Sequence, residues 1–267
     1  MTQPSKKTIK ETPIHSTDIT IPDSINKTLR IAYVDEPPFY WTEHNGVKGA
    51  DIELAEAILQ TIGVSSIEYH LVTFDELLPG VQAGKWDMNV PIFVTAERAK
   101  DVDFSIPVWS LGDGFVVQKG NPKALAAYED ILKSNDAMLG LIPGQIQFDA
   151  AKLAGVSDNQ IILFKNQPEA IAALLSGKID AFAATTVGNT AIVNTHPELE
   201  TVPFENNKEI KIPVGAFSFS KDNQVLLQAV NKQLRKYLGS ENHRTNMAKY
   251  GITKAEIDGI VPGGSIK

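Results

Sequence analysis

PIFVTAERAKDVDFSIPV, residues 91–108, is the stretch on which the fold turns. It begins at the end of an apolar run, DMNVPI (87–92), that reads as a buried strand. Beyond it a loop carries one arginine, Arg98, five residues after Phe93. A planar, permanently charged guanidinium suits a carboxylate, and an aromatic ring beside it suits a cation. The pair therefore reads as a grip on one small zwitterion.

The same strand-and-helix unit recurs on both sides. Upstream, LRIAYV (29–34) and IEYHLV (67–72) read as strands. DIELAEAILQTIG places Ile52, Ala55, Ile58, Leu59 and Ile62 at helical spacing, with Gly63 as a stop. FDELLPGVQAG supplies a short helix in which Pro79 fits only near the first turn. Downstream, GFVVQKG (114–120) reads as a strand that crosses to a new unit, and a helix-like stretch (123–133) precedes the strand AMLGLI (137–142). PGQIQFDAAKLAG gives loop and helix, and QIILF (160–164) another strand. PEAIAALLSG is a helix opened by Pro168 and closed by Gly177, before the strand KIDAFAAT (178–185). VGAFSFS (214–220) reads as a second crossing. NQVLLQAVNKQLRKYLG is then an amphipathic helix with Val225, Leu226, Ala229, Val230, Leu234 and Leu238 inward and Gly239 at its end. The tail from about 240 to 267 reads as helical and then loose, and residues 1–27 as a flexible arm.

Alternating strands and helices predict an α/β chain of right-handed βαβ units. The pattern predicts two βαβ lobes, 28–114 with 216–267 and 115–215, joined by a two-strand hinge with a ligand cleft between them. Ligands of such sheets bind at the carboxyl ends of the strands. That gathers the loops 35–41, 73–75, 91–98, 143–148 and 185–189 around one gap.

Composition narrows the function. The 267 residues are 43% hydrophobic and 21% charged, with a formal net charge of -7. No dominant basic face is available for nucleic acid or an anionic membrane. Absence of cysteine excludes a disulfide framework, a thiolate zinc site and a cysteine nucleophile. No apolar run approaches the ~18 residues of a membrane span. The polar start MTQPSKKTIKETPIHSTDITIPDS has no apolar signal region, so export implies a signal peptide already removed. GVQAGK (80–85) falls one residue short of a phosphate loop, with Trp86 in place of its Ser/Thr. GDGFVV (112–117) lacks the third glycine of a dinucleotide fingerprint. The five histidines, at 15, 44, 70, 196 and 243, show no ligand spacing, so neither metal nor cofactor is expected.

Four segments resemble the family 3 solute-binding proteins of ABC importers: DEPPFYW with GVKGADIEL (35–54), TAERAKDVDFSIPV (95–108), LLSGKIDA (174–181), and FSFSKDN with YLGSENHRTNMAKYGI (237–252). The resemblance spans about residues 28–260. It implies a two-lobed periplasmic-binding-protein fold of type II and an extracytoplasmic, monomeric protein. It implies no enzymatic chemistry, with a small zwitterion and the membrane subunits of an ABC transporter as partners. It also gives Arg98 the role of carboxylate clamp, against the alternative of a surface arginine paired with Glu97 or Asp101.

Departures from the family pattern are informative. Where amino-acid binders have Gly-x-Ser/Thr, this chain has Pro91-Ile92-Phe93. Five residues after Asp180, where an acidic residue usually meets the α-ammonium, stand Thr185 and then Thr186. An unpaired buried ammonium is costly, so a standard amino acid is not the expected ligand. Glu36, Phe39, Phe74 and Phe93 offer an aromatic cage and a carboxylate instead. This set looks like the ectoine and hydroxyectoine binders of the same family, whose ligands are cyclic amidinium carboxylates. Gln145 and Gln147, in a turn after Gly144 that the family uses for ligand contact, stand where a Thr pair is usual. Phe39 also fits a core role, Phe74 a hydrophobic staple and Glu36 a solvated position. Trp109 reads mainly as packing, and Trp41 and Trp86 as structural. The alternatives are an amino-acid or opine binder, a ligand-sensing domain of a receptor, and an enzyme resembling cyclohexadienyl dehydratase. For the enzyme, Glu36 lacks an evident second acid.

Overall fold

Hydrophobic periodicity and its interruptions set the element order. The computed structural model describes residues 5–8, 25, 27–44, 46–205 and 212–261. The chain starts with β1 (Ser5–Thr8), β2 (Thr28–Tyr33), a hairpin of β3 (Trp41–Glu43) and β4 (Gly46–Lys48), α1 (Ala50–Thr61) and β5 (Ser66–Leu71). A 3-10 turn at Phe74–Glu76 leads into α2 (Leu77–Gln82) and β6 (Met88–Phe93). α1 buries Ile52, Ala55, Ile58 and Leu59 on one face and stops at Gly63, whose φ of 82° is left-handed. Pro79 sits in the first turn of α2, where its missing N–H has no intrahelical acceptor to lose. Every residue of β6 is buried, as befits a central strand covered on both faces.

After β7 (Asp103–Phe104) and β8 (Trp109–Ser110) the chain crosses to a second sheet. There it forms β9 (Asp113–Gln118), α3 (Tyr128–Lys133), β10 (Leu139–Leu141), α4 (Ile146–Leu153), β11 (Ile161–Leu163), α5 (Gln167–Leu175), β12 (Ala181–Thr185), α6 (Thr186–Thr195) and β13 (Leu199–Pro203). It returns as β14 (Val214–Phe219) and ends with α7 (Gln224–Tyr237), α8 (Glu241–Ala248) and α9 (Lys254–Ile257).

The first sheet runs β1-β5-β2-β6-β14-β7, with β8 also paired to β14, and the second runs β11-β10-β12-β9-β13. β2 is parallel to β5 and β6, and β10 to β11 and β12. The strands that follow the crossings, β9 and β14, run antiparallel to their neighbours β12 and β6. Two α/β lobes with a double crossing follow, as the sequence predicts. One apolar cluster fills the first lobe. In the second, side chains of β9 alternate between two clusters. Phe115 and Val117 pack toward Tyr128 and Ala151, and Val116 toward Leu174 and Ile192.

Two local expectations change. Val225 is 47% exposed, while Leu227 is 7% exposed and faces the core. Successive helical residues lie about 100° apart, and the inward stripe of α7 is centred on Leu227, Val230 and Leu234, which turns Val225 out. Within the supposed flexible arm, Ser5–Thr8 pairs antiparallel with β5. Its sequence, SKKT, carries no apolar alternation. The pairing comes from backbone hydrogen bonds to an open sheet edge, helped by Lys7 Nζ at 2.6 Å from Glu56. The rest of that arm, apart from residues 25 and 27, and the last six residues of the tail lie outside the described residues.

Candidate functional site

Strand ends of both sheets face one gap. The loop after β2, the end of β6, the loop leading into α4 and the end of β12 line one narrow cleft. Phe39, Phe74, Phe93 and Trp109 form its aromatic walls, and Glu36, Tyr40, Gln145, Gln147 and Thr185 its polar points. An apolar enclosure with a few convergent polar groups is the usual make-up of a small-molecule site.

The rings brace one another. Phe93 stands edge-on to Trp109 with centroids 5.1 Å apart, and Phe39 lies tilted to Trp109 at 6.0 Å. Trp109 is fixed by its indole N–H, which donates to the Asp51 carboxyl oxygens at 3.2 and 3.3 Å. It also lies against Gly215, where a Cβ would come within 2.0 Å of the ring. Trp109 therefore packs, as the sequence suggests, and walls the cavity as well. Phe39 likewise does both, being buried in the first lobe's core while facing the gap. Phe74 packs against clusters of both lobes.

Arg98 opens a 3-10 turn, Arg98–Lys100, and is buried. Glu97 pairs with Lys100 instead, so the surface alternative for Arg98 does not hold. Its Nη1 donates to the Phe93 carbonyl at 2.6 Å and its Nη2 to the Gly144 carbonyl of the second lobe at 2.7 Å. The guanidinium carbon lies 5.3 Å from the centre of the Phe74 ring. Gly144 reaches the arginine because its φ of 82° is open to glycine. Arg98 is thus held against Phe74 and Phe93, outside the residues that line the cleft. A guanidinium has five N–H donors, so some remain for a carboxylate. Burial pulls its pKa down to about 10, which leaves it charged at neutral pH.

Glu36 is buried, not solvated. Burial pushes its pKa up to about 7, opposed by hydrogen bonds from the Tyr40 hydroxyl and the Gln145 amide. Gln145 Nε2 donates to Glu36 Oε2 at 3.1 Å across the gap. Gln147 Nε2 donates to Asp113 Oδ1 at 2.6 Å, and burial pushes Asp113 up to about 6. Asp51, enclosed at the start of α1, is raised well above its ordinary value, again by burial. Both Asp51 and Asp113 act electrostatically on Glu36 or feel its charge. The sequence shows no acid converging with Glu36, and the fold brings two. Tyr40, inside the DEPPFYW segment, is a further residue that the sequence did not single out.

Thr185 lines the cavity, and its hydroxyl accepts from Gly188 N at 3.1 Å to cap α6. Thr186, the first residue of α6, is not among the lining residues, and its backbone N–H is bonded to Gly112 O at 2.8 Å. Among the described residues no group of His, Cys, Asp and Glu is placed to hold a metal ion.

Residues 29–253 match the model of the bacterial extracellular solute-binding proteins, family 3. A Sinorhizobium fredii protein named probable amino-acid ABC transporter periplasmic-binding protein y4tE is 31% identical over 241 residues, covering 87% of this chain and 79% of its own. Among solved structures, EhuB in complex with hydroxyectoine has a TM-score of 0.78 at 24% identity, covering 90% of this chain and 95% of its own. An ancestral arginine-binding protein bound to glutamine has a TM-score of 0.74 at 31% identity, covering 85% and 98%. At its identity the EhuB likeness is one of fold alone.

Proposed function

The chain belongs to the bacterial extracellular solute-binding proteins, family 3, and from that membership we propose that it captures a cyclic amidinium carboxylate, ectoine or hydroxyectoine, for the membrane subunits of an ABC importer. That it is a binding component of an ABC amino-acid transporter follows from the family and from relatives so named. Among the described residues no helix is long and apolar enough to cross a membrane.

One observation carries the ligand class: the rings of Phe39, Phe74, Phe93 and Trp109 and the Glu36 carboxyl line one cleft, and the Arg98 guanidinium is held against Phe74 and Phe93. A delocalised ring cation makes weak hydrogen bonds and gains about 0.5–2 kcal/mol from each well-placed aromatic face. Glu36 accepts the amidinium N–H groups, and the remaining donors of Arg98 take the carboxylate. Glu36, Phe39, Phe74, Phe93 and Arg98 of the first lobe seize the ligand in the open form. Hinge closure then brings Gln145, Gln147 and Thr185 from the second.

A thermal-shift panel of ectoine, hydroxyectoine, glycine betaine, proline and the amino acids tests this. Ligand at a thousand times its dissociation constant adds about 4 kcal/mol, an easily read shift. A shift with the ectoines alone is expected. A shift only with amino acids would replace the ligand class and leave the binding protein standing.

A second reading, acid–base turnover of a carboxylated ring, is favoured by the raised pKa of Glu36 and the nearby Asp113. Conversion of prephenate or arogenate by the purified protein would establish it, and none is expected.

A further inference from the structure

Charge around the cavity is out of balance. Glu36 and Asp51 are buried carboxyls at or beside it, Asp113 is a partly buried one, and Arg98 is the one buried base near them among the described residues. Two N–H groups of Arg98 already serve backbone carbonyls. Asp51 is engaged by Trp109, and Glu36 by Tyr40 and Gln145. Asp113 differs from these in where it sits. It opens β9 directly opposite Thr185 in the antiparallel register of β9 and β12. Side chains so paired share a face, with Cβ atoms about 4.5–5.5 Å apart. Thr185 lines the cavity, and so does Gln147, whose amide holds Asp113 Oδ1 at 2.6 Å. Oδ2 accepts from no donor among the described residues. An amide that fixes one carboxylate oxygen orients the other, and the two residues that flank Asp113 both face the gap.

We infer that Asp113 is a ligand-binding residue that holds the cationic group of the bound molecule from the second-lobe side, opposite Glu36. The inference rests on the zwitterion reading above and adds to it a carboxylate on the crossing strand. The cation is then enclosed by aromatic faces and met by one acid from each side, while Gln147 acts as the positioning residue for Asp113. A ligand of this kind offers N–H donors in two directions, as an amidinium ring or a protonated amine does.

Titration calorimetry with hydroxyectoine, ectoine, L-glutamine and L-arginine as probes, on the wild type, Asp113→Asn, Arg98→Ala and the double variant Asp113→Asn with Thr185→Asp, tests it. Asn keeps an oxygen for Gln147, and Asp keeps the cap of α6, so ligand-free melting should be preserved in both. For whichever probe the wild type binds, Asp113→Asn should weaken binding about ten- to a hundredfold, the effect of a charged hydrogen bond. The double variant, with its carboxylate moved one strand over, should recover most of that loss. Wild-type affinity in Asp113→Asn, with binding lost in Arg98→Ala, would overturn the role of Asp113 and leave the zwitterion reading intact. A double variant as weak as Asp113→Asn would overturn it as well. Failure of the wild type to bind any probe would overturn both.

Discussion

Gln145 of the second lobe donates to Glu36 of the first at 3.1 Å, and 2.7 Å separates Arg98 Nη2 of the first from the Gly144 carbonyl of the second. The two lobes are therefore linked by protein hydrogen bonds at the very groups proposed to meet a ligand. One link uses a carboxyl that burial holds near pKa 7, and this gives closure a proton dependence.

For Glu36 the folded pKa lies above the unfolded value, about 7 against 4.5. Between these values the folded form holds a proton that the unfolded chain has lost. Stability of the ligand-free protein should then fall as pH rises from about 4.5 to about 7, by up to about 3 kcal/mol. Asp113, raised to about 6, adds a change of the same sign. Urea unfolding at about pH 5 and about pH 8 should show a smaller difference for Glu36→Gln than for the wild type. Identical differences would remove Glu36 as the source.

Arg98→Lys should abolish most binding despite keeping the charge. An ammonium cannot fork onto a carboxylate while still reaching the Phe93 and Gly144 carbonyls. A loss of about a hundredfold or more in calorimetry is expected, and near-native affinity would deny the clamp.

Phe93→Ala should cost about 3–5 kcal/mol of stability, since the ring packs on Trp109. The specific expectation concerns ligands. Affinity for an amidinium should drop about tenfold more than affinity for an amino acid. Equal losses would reduce Phe93 to a packing residue.

Trp109→Phe removes the indole donor and leaves the Asp51 carboxyl buried without it. Unfolding free energy should fall by about 1–3 kcal/mol. A change within about 0.5 kcal/mol would mean that Asp51 does not depend on the indole.

On α7 the two neighbours of Leu226 should behave oppositely. Leu227→Ala should cost about 2–5 kcal/mol and Val225→Ser under about 0.5 kcal/mol, read from the same denaturation curves.

The double-lobed fold was legible because its signals are local. Helical spacing from Ile52 to Leu59, the all-buried run of Met88–Phe93 and the stops at Gly63 and Gly177 each lie within a dozen residues. Phe93 and Arg98 were legible for the same reason. Asp113, Asp51 and Tyr40 were not. Asp113 becomes a candidate only when β9 is laid beside β12 and meets Thr185. Asp51 becomes one only when Trp109, far along the chain, closes over it. Val225 failed for a simpler reason: a hydrophobic residue at a helix start fits two adjacent faces, and only packing chooses between them.

Phe74, itself partly buried, packs against the apolar clusters of both lobes. Opening the gap would therefore bring part of its ring into water, and closing would remove it again. Burial of apolar surface carries a negative heat-capacity change, and its drive weakens on cooling. Under the proposed hinge motion, Phe74 would add to the temperature dependence of the balance between open and closed forms of the empty protein, with warming from the cold favouring the closed form.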